Sequence, residues 1–379
     1  MRNIKHLLFT AVMAVASFGN VSAGNVILTT PEDYQVLSLS PNGKWACGVY
    51  TDYSYQNFAF RWNLSSGTIE LLGSASASEC WTISDDGTVA GTFISTETSA
   101  NGSPTNSPGY YKDGSWHAVE IPEGFGGAGM GLAITPDGHY MTGVLETSDL
   151  KYIPYIWKDG KIHRQLEQNT TGMPYAISSD GQMVAGWRQN HNRAACLWNS
   201  DNAYTYLSDY ESPWSYARAF SADGKKIVLW GGWDAESEHS TLRAIYDVED
   251  GTTTLIPTLV NDDELEFFGI SADYTAVGFE GAFQGIQRAV MWKDGNLQYV
   301  EDYLEGLGID FSGYGILPAD DDIYYIFRAQ DISDDSKVLA LIYYDEEYAY
   351  RSMIVMLDQQ ETDLPPVEFT ARQVEGMPS

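Results

Sequence analysis

Along this chain apolar and polar residues alternate over short stretches, the period of half-buried strands rather than of helices. Seven segments repeat one arrangement: a small residue, an apolar anchor, Ser or Thr, any residue, Asp-Gly or a relative, then an apolar run that often ends in Gly. They read SLSPNGKWACG, TISDDGTVAG, AITPDGHYMTG, AISSDGQMVAG, AFSADGKKIVLWG, GISADYTAVG and DISDDSKVLA. Their anchors are Leu39, Ile83, Ile134, Ile177, Phe220, Ile270 and Ile332, standing 43 to 62 residues apart. Such intervals are those of propeller blades.

A second block follows most units, a small residue leading into aromatic or β-branched residues and a polar-Gly turn. It reads AFRWNLSSG, GYYKDG, PYIWKDG, ACLWNSDN, AIYDVEDG and AVMWKDG, with SMIVML as a fainter seventh. Each unit therefore predicts four strands: the anchor strand, a second after the tight turn, the Trp block, and a short apolar run such as residues 69–72. A lone sheet of this kind has two unburied faces, so the units must stack around a ring. The expected fold is all-β, a seven-bladed β-propeller with four-stranded blades. Small residues before the anchors (Ser38, Thr82, Ala133, Ala176, Ala219, Gly269) fit a close approach near the axis.

Strand counting predicts how the ring closes. The seventh unit lacks a fourth strand, while residues 25–30, NVILTT, form an apolar strand with no blade of its own. Placed beside residues 353–357, this N-terminal strand would complete the last blade and hide an open edge. Residues 301–316, EDYLEGLGIDFSGYGI, carry Tyr303, Leu304 and Leu307 at helical spacing. They predict the one substantial helix, lying on the face of the long loops.

The units ISDDGTVAG and AISSDGQMVAG, with AFRW and AVMWKDG, resemble the repeats of extracellular HAF-repeat proteins and, less closely, TolB-type propellers, over about residues 36–357. The 301–316 segment is similar to a helix and turn that such proteins place before a late repeat. Tyr274 and Ser336 depart from the pattern, standing where it has the turn Gly. The resemblance implies architecture and leaves function open, since propellers host many unrelated activities.

Residues 1–23 read as a secretory signal: Arg2 and Lys5, an apolar stretch over 7–18, then Val21-Ser22-Ala23 as a cleavage site. The propeller is expected over 24–358, secreted or periplasmic. Residues 359–379 read as a linker or the start of a truncated fibronectin type III-like domain, with a disordered tail as the alternative. Acidic residues number 52 against 21 basic ones, a formal charge of -31. That argues against nucleic acid and anionic membrane surfaces as partners. No later segment is apolar over the roughly 20 residues that membrane insertion needs. Cys47, Cys80 and Cys196 are an odd number; a buried thiol is expected at Cys47, with a Cys47–Cys80 bridge as the alternative.

The tight turns fall on one end of the ring and the long, irregular links on the other, so a site is expected on the long-loop face. Inter-blade links there hold Trp81, Tyr175, Trp214, Tyr216, Phe268 and Tyr314, and loops within blades add Trp187 and Trp233. Such aromatics could stack on sugars or anchor a protein, or simply plug gaps between blades. Arg243, Arg288 and Arg351 share one repeat position, where they could gather an anionic ligand or neutralise nearby carboxylates. Asp320, Asp321 and Asp322 offer hard oxygens to Ca²⁺ or form a solvated acidic turn; no other cofactor is expected. Asp86, Asp137, Asp180 and Asp223 are expected to bond their own turns. No G-x-S-x-G elbow, Walker loop or Cys-x-x-Cys is present. Two functions remain: an exported, non-catalytic module binding a glycan or protein, or a glycoside hydrolase or lyase with acids at the central channel. An apolar or aromatic channel mouth would favour the first, a cluster of carboxylates with Arg or His the second.

Overall fold

The computed structural model describes residues 24–73, 78–98, 104–190, 192–207, 214–234, 239–260, 264–281, 287–320, 323–324 and 326–358. Seven four-stranded antiparallel sheets form the ring. Six are built from four consecutive strands, and the seventh has the order Val26–Thr29, Tyr350–Met356, Val338–Tyr344, Ile326–Ile332. The closing strand pairs Val26 with Met356 and Thr29 with Met353, and Thr30 extends the seam through its amide to Ser352 O at 2.9 Å. The expected signal segment 1–23 and tail 359–379 lie outside the described residues. Among the described residues no helix is long and apolar enough to cross a membrane.

The apolar cores lie between blades rather than within them. Leu28, Val36, Trp62, Val338 and Ile354 join the last blade to the first, and Cys47, Ala59, Cys80 and Ile83 join the first to the second. Cys47, Cys80 and Cys196 are free and buried, so no Cys47–Cys80 bridge forms.

The repeat's Ser or Thr is buried for a reason. In every blade its hydroxyl accepts a strand-two amide, as Ser84 Oγ does from Thr88 at 3.1 Å and Ser333 Oγ from Val338 at 2.9 Å. It donates onward to the turn Asp, as Ser84 does to Asp86 at 2.6 Å. Asp86, Asp137, Asp180 and Asp223 each accept the amide two residues on, which fixes the turn. Tyr274 and Ser336, in place of the turn Gly, adopt the same left-handed backbone at φ 65 and 59.

A second regularity was not expected. Strand one of every blade carries a β-bulge at one place, so that Leu37, Trp81, Leu132, Tyr175, Arg218, Phe268 and Gln330 fall out of the pairing register. The glycine that ends the repeat follows from it. At Gly48, Gly91, Gly143, Gly186 and Gly278 a Cβ would lie 1.8 to 2.1 Å from a strand-one carbonyl oxygen.

The helix spans Val300–Gly306, beginning one residue before the predicted segment 301–316. Leu304 packs with Met291, Phe311 and Leu339 in the core between the sixth and seventh blades. Its placement corrects the expectation: Tyr303 and Leu307 stand beside Asp273, Lys293 and Ser336, on the tight-turn face. The chain leaves the short strand Asn296–Tyr299 and folds back along the inter-blade groove, because burying Val300 and Leu304 there outweighs continuing outward.

Candidate functional site at the channel

The seven bulged residues converge on the axis. Six of the seven strand-one bulge positions come directly before the small residues of the repeat, which let the strands approach, and the bulge turns each side chain inward. They line a cavity of about 320 Å³ that continues to Pro41, Pro136, Ser179, Ala222 and Asp334 at the turn end. Five of the seven ring positions are Leu, Trp, Tyr or Phe.

Polar groups in the wall are largely committed to the protein. Arg218 Nη2 lies 2.6 Å from Glu266 Oε1, and its guanidinium stands over the Tyr175 and Tyr216 rings at 4.8 and 5.5 Å. Burial opposes that charge, but Glu266 and the tyrosines outweigh it and hold the Arg218 pKa above its ordinary value. Asp331, at the seventh small-residue place, accepts hydrogen bonds from Leu39 N at 2.8 Å, Ser38 Oγ at 3.1 Å and Ile332 N at 2.8 Å. A Cβ on Gly269 would lie 2.5 Å from Asp331 Oδ1, so the glycine of the sixth blade makes room for this carboxylate. Ser179 Oγ donates to Ala222 O at 2.9 Å.

Two of the carboxyls titrate high. Burial pushes Asp331 up to about 6 against the three hydrogen bonds it accepts, and burial followed by repulsion from Asp85 and Asp335 pushes Asp334 to about 6. For an acid whose folded pKa is raised, the native state binds more protons, so its contribution falls as pH rises from about 4 to about 6. Asp334→Asn should therefore match the parent in stability near pH 4 and exceed it by about 1 kcal/mol at pH 7, after allowing for partial exposure. Urea melts at the two pH values check this; an equal difference at both would contradict it.

The structure places the sequence-predicted residues in three groups. Trp81, Tyr175 and Phe268 line the channel, on strands Glu79–Ile83, Gly172–Ile177 and Glu264–Ile270 rather than on loops. Trp187, Trp214 and Tyr216 gather beside Tyr175 between the fourth and fifth blades: Trp187 Nε1 donates to Tyr175 Oη at 3.3 Å, and the Tyr175 and Tyr216 centroids are 6.2 Å apart. Trp187 and Tyr216 are also on strands, a correction whose cause is the same: the strands run past the points where the sequence pattern loses its alternation. Tyr314 packs against the core behind the helix, away from the channel.

The backbone of Trp233 lies in strand Lys226–Asp234, and its side chain is outside the described residues. Arg288 pairs with Glu301 at 3.4 Å and stacks on Tyr299 at 3.6 Å, while Arg351 pairs with Asp345 at 2.6 Å and Glu32 at 2.8 Å. Arg243 stands in register with Trp230 on strand His239–Asp247. Asp320 ends the first strand of a two-stranded hairpin, and Asp321 and Asp322 lie outside the described residues. Among the described residues no group of three His, Cys, Asp or Glu side chains is placed to hold a metal.

Two arginines that the sequence reading missed join this region, Arg218 and Arg193. Arg218 was marked by its position alone, directly before the small residue that precedes each anchor. Arg193 carried no signal in the repeat. Its guanidinium stands 4.8 Å from the Trp187 ring centroid and 5.0 Å from that of Trp214, and its Nη1 donates to Tyr216 Oη at 3.0 Å.

No family model matches this chain, and no curated protein matches it. Solved structures share its fold. A TolB from Agrobacterium tumefaciens is 12% identical with a TM-score of 0.45, covering 89% of this chain and 99% of that one. A prolyl endopeptidase is 10% identical with a TM-score of 0.51, covering 89% of this chain and 51% of that one. The acylaminoacyl peptidase of Pyrococcus horikoshii is 15% identical with a TM-score of 0.50, covering 83% and 49%. This chain spans about half the length of each peptidase. At such identities the likeness is one of fold.

Proposed function

We propose that this chain is an exported, non-catalytic binding propeller that takes a segment of a protein partner at its central channel. The observation carrying this reading is the bulge ring, which turns one side chain per blade toward the axis, five of them apolar or aromatic. A sugar presents hydroxyls all around its ring, and each needs a partner when it leaves water. In the channel wall Asp331, Ser38 and Ser179 already bond within the protein and Arg218 is paired with Glu266, which leaves Thr82 Oγ1 and Arg218 Nε as buried groups without a partner among the described residues, fewer than a sugar ring needs. Apolar and aromatic side chains of a peptide need no such partners and would displace water from the ring. The channel wall does hold Asp331 and Asp334 with Arg218, the cluster that the hydrolase reading asks for, but Arg218 is paired with Glu266 and Asp331 bridges the first and last blades, so that reading has less support.

An array of random heptapeptides and an array of neutral and acidic glycans, probed side by side, test this reading. Selected peptides should bind the parent protein, and the double variant Trp81→Ala with Phe268→Ala should lose affinity by tenfold or more. Specific glycan binding without peptide binding, or peptides indifferent to the double variant, would overturn it.

A further inference from the structure

The arginines of this chain are mostly matched to acids. Arg61 meets Glu70, Arg188 meets Glu167, Arg218 meets Glu266, Arg288 meets Glu301 and Arg351 meets Asp345. Among the described residues Arg193 meets no carboxylate. Two other arginines outside ion pairs use their donors differently: Arg164 on the carbonyls of Asn199 and Gln182, Arg328 on Gln287 Oε1. The Arg193 guanidinium has five N–H donors and among the described residues makes one hydrogen bond, to Tyr216 Oη. Its guanidinium carbon stands 4.8 and 5.0 Å from the Trp187 and Trp214 ring centroids, and its remaining N–H donors are of the kind that grips a carboxylate with two parallel hydrogen bonds.

A second observation comes from the backbone. Trp214 holds φ at 63, a left-handed conformation that costs a bulky residue about 1–2 kcal/mol, and its side chain is 43% exposed. The next residue is pinned on both sides: Ser215 N donates to Arg193 O at 3.0 Å, and Ser215 Oγ accepts from Ala195 N at 2.8 Å. The strain is thus maintained by the very strand that carries Arg193, and its result is a tryptophan face held at the surface beside the guanidinium. Tyr216 and Tyr175 then connect this cage to Arg218 and the channel ring.

We infer that Arg193, walled by Trp187 and Trp214, is an anion subsite that takes a carboxylate of the peptide segment, whose neighbouring apolar residues enter the channel. This rests on the reading of the channel as a peptide site. Charge supports it: the surrounding protein repels a polyanion, whereas one carboxylate set against one aromatic-walled guanidinium is matched. The carboxylate comes from an Asp or Glu side chain or from a free C-terminus, and the two sources are separable.

Heptapeptides selected on the array are resynthesised in matched pairs, with Glu or Gln, with Asp or Asn, and with free or amidated C-termini, and titrated by calorimetry. The acidic form should bind at least tenfold more tightly than its amide counterpart on the parent protein. That ratio should collapse to about one on Arg193→Met and recover in part on Arg193→Lys, and rising salt should erode it. Loss of the ratio on amidation of the C-terminus assigns the terminal carboxylate; loss on Glu→Gln or Asp→Asn assigns a side chain. Peptides that bind with no acid preference, or an acid preference unaffected by Arg193→Met, overturn the subsite and leave the channel reading standing. An array with no peptide binders overturns the channel reading, and the subsite with it.

Discussion

Deletion of residues 25–30 lowers the thermal midpoint by at least about 10 °C and does so in one cooperative transition. The closing strand contributes four paired positions to the last blade, from Val26 to Thr29, and places Leu28 in the core shared by the last and first blades. Full burial of one leucine stabilises by about 1.5–3 kcal/mol. The deletion also uncovers the edge of Tyr350–Met356 and the Ser352 amide that Thr30 Oγ1 accepts at 2.9 Å. An opened ring loses the junction at which Asp331 holds Ser38 and Leu39 as well. A total near 5 kcal/mol is comparable with the whole stability of an ordinary domain. Differential scanning calorimetry checks it, with the doubly exposed loop variant Tyr53→Ser, Tyr55→Ser as a control that should shift little. An unchanged midpoint in the deletion would refute closure by this strand.

Gly278→Ala should cost about 3 kcal/mol and weaken peptide binding together. A Cβ at position 278 would lie 1.8 Å from Glu266 O and 2.8 Å from Phe267 Cα, both backbone atoms of the bulged strand. Neither can move aside as a flexible side chain would, so the bulge at Phe268 must flatten. Phe268 then turns away from the channel that it lines. Gly306→Ala provides the contrast, since nothing lies within 4 Å of a Cβ there. Chemical denaturation should show the second variant unchanged or slightly stabilised, with peptide affinity intact. Equal stability of the two variants would mean that the bulge is not what requires the glycine.

The blade count was legible because each turn needs the same three groups in order. A buried hydroxyl accepts the strand-two amide, an Asp bonds the amide two residues on, and a left-handed residue closes the turn. Closure was legible from the spare strand at residues 25–30 and the missing strand after Met356. The bulge was not, because its residue type is free to vary from Leu37 to Trp81 to Arg218; the only trace was the glycine opposite, which reads as an ordinary strand end. Aromatics were expected in loops for the same reason. Trp81 and Phe268 break the alternation of their strands, and a broken alternation looks like a link when the bulge that causes it is invisible. The helix was legible from Leu304 and its neighbours, but its direction was decided by the groove between two blades, a surface that exists only after folding. Arg193 is the extreme case, its surroundings supplied by Trp187 within the same blade and Trp214 at the start of the next.

Photo-crosslinking from inside the channel tests the central claim most directly. A benzoylphenylalanine replacing Phe268, irradiated with an array-selected peptide, should capture that peptide, and unlabelled peptide should compete the product away. The same group at Leu255, an exposed position on the outermost strand of the fifth blade, should capture little. Equal labelling from both positions, or labelling from Leu255 alone, would place the binding surface on the outside of the ring and contradict a function seated at the channel.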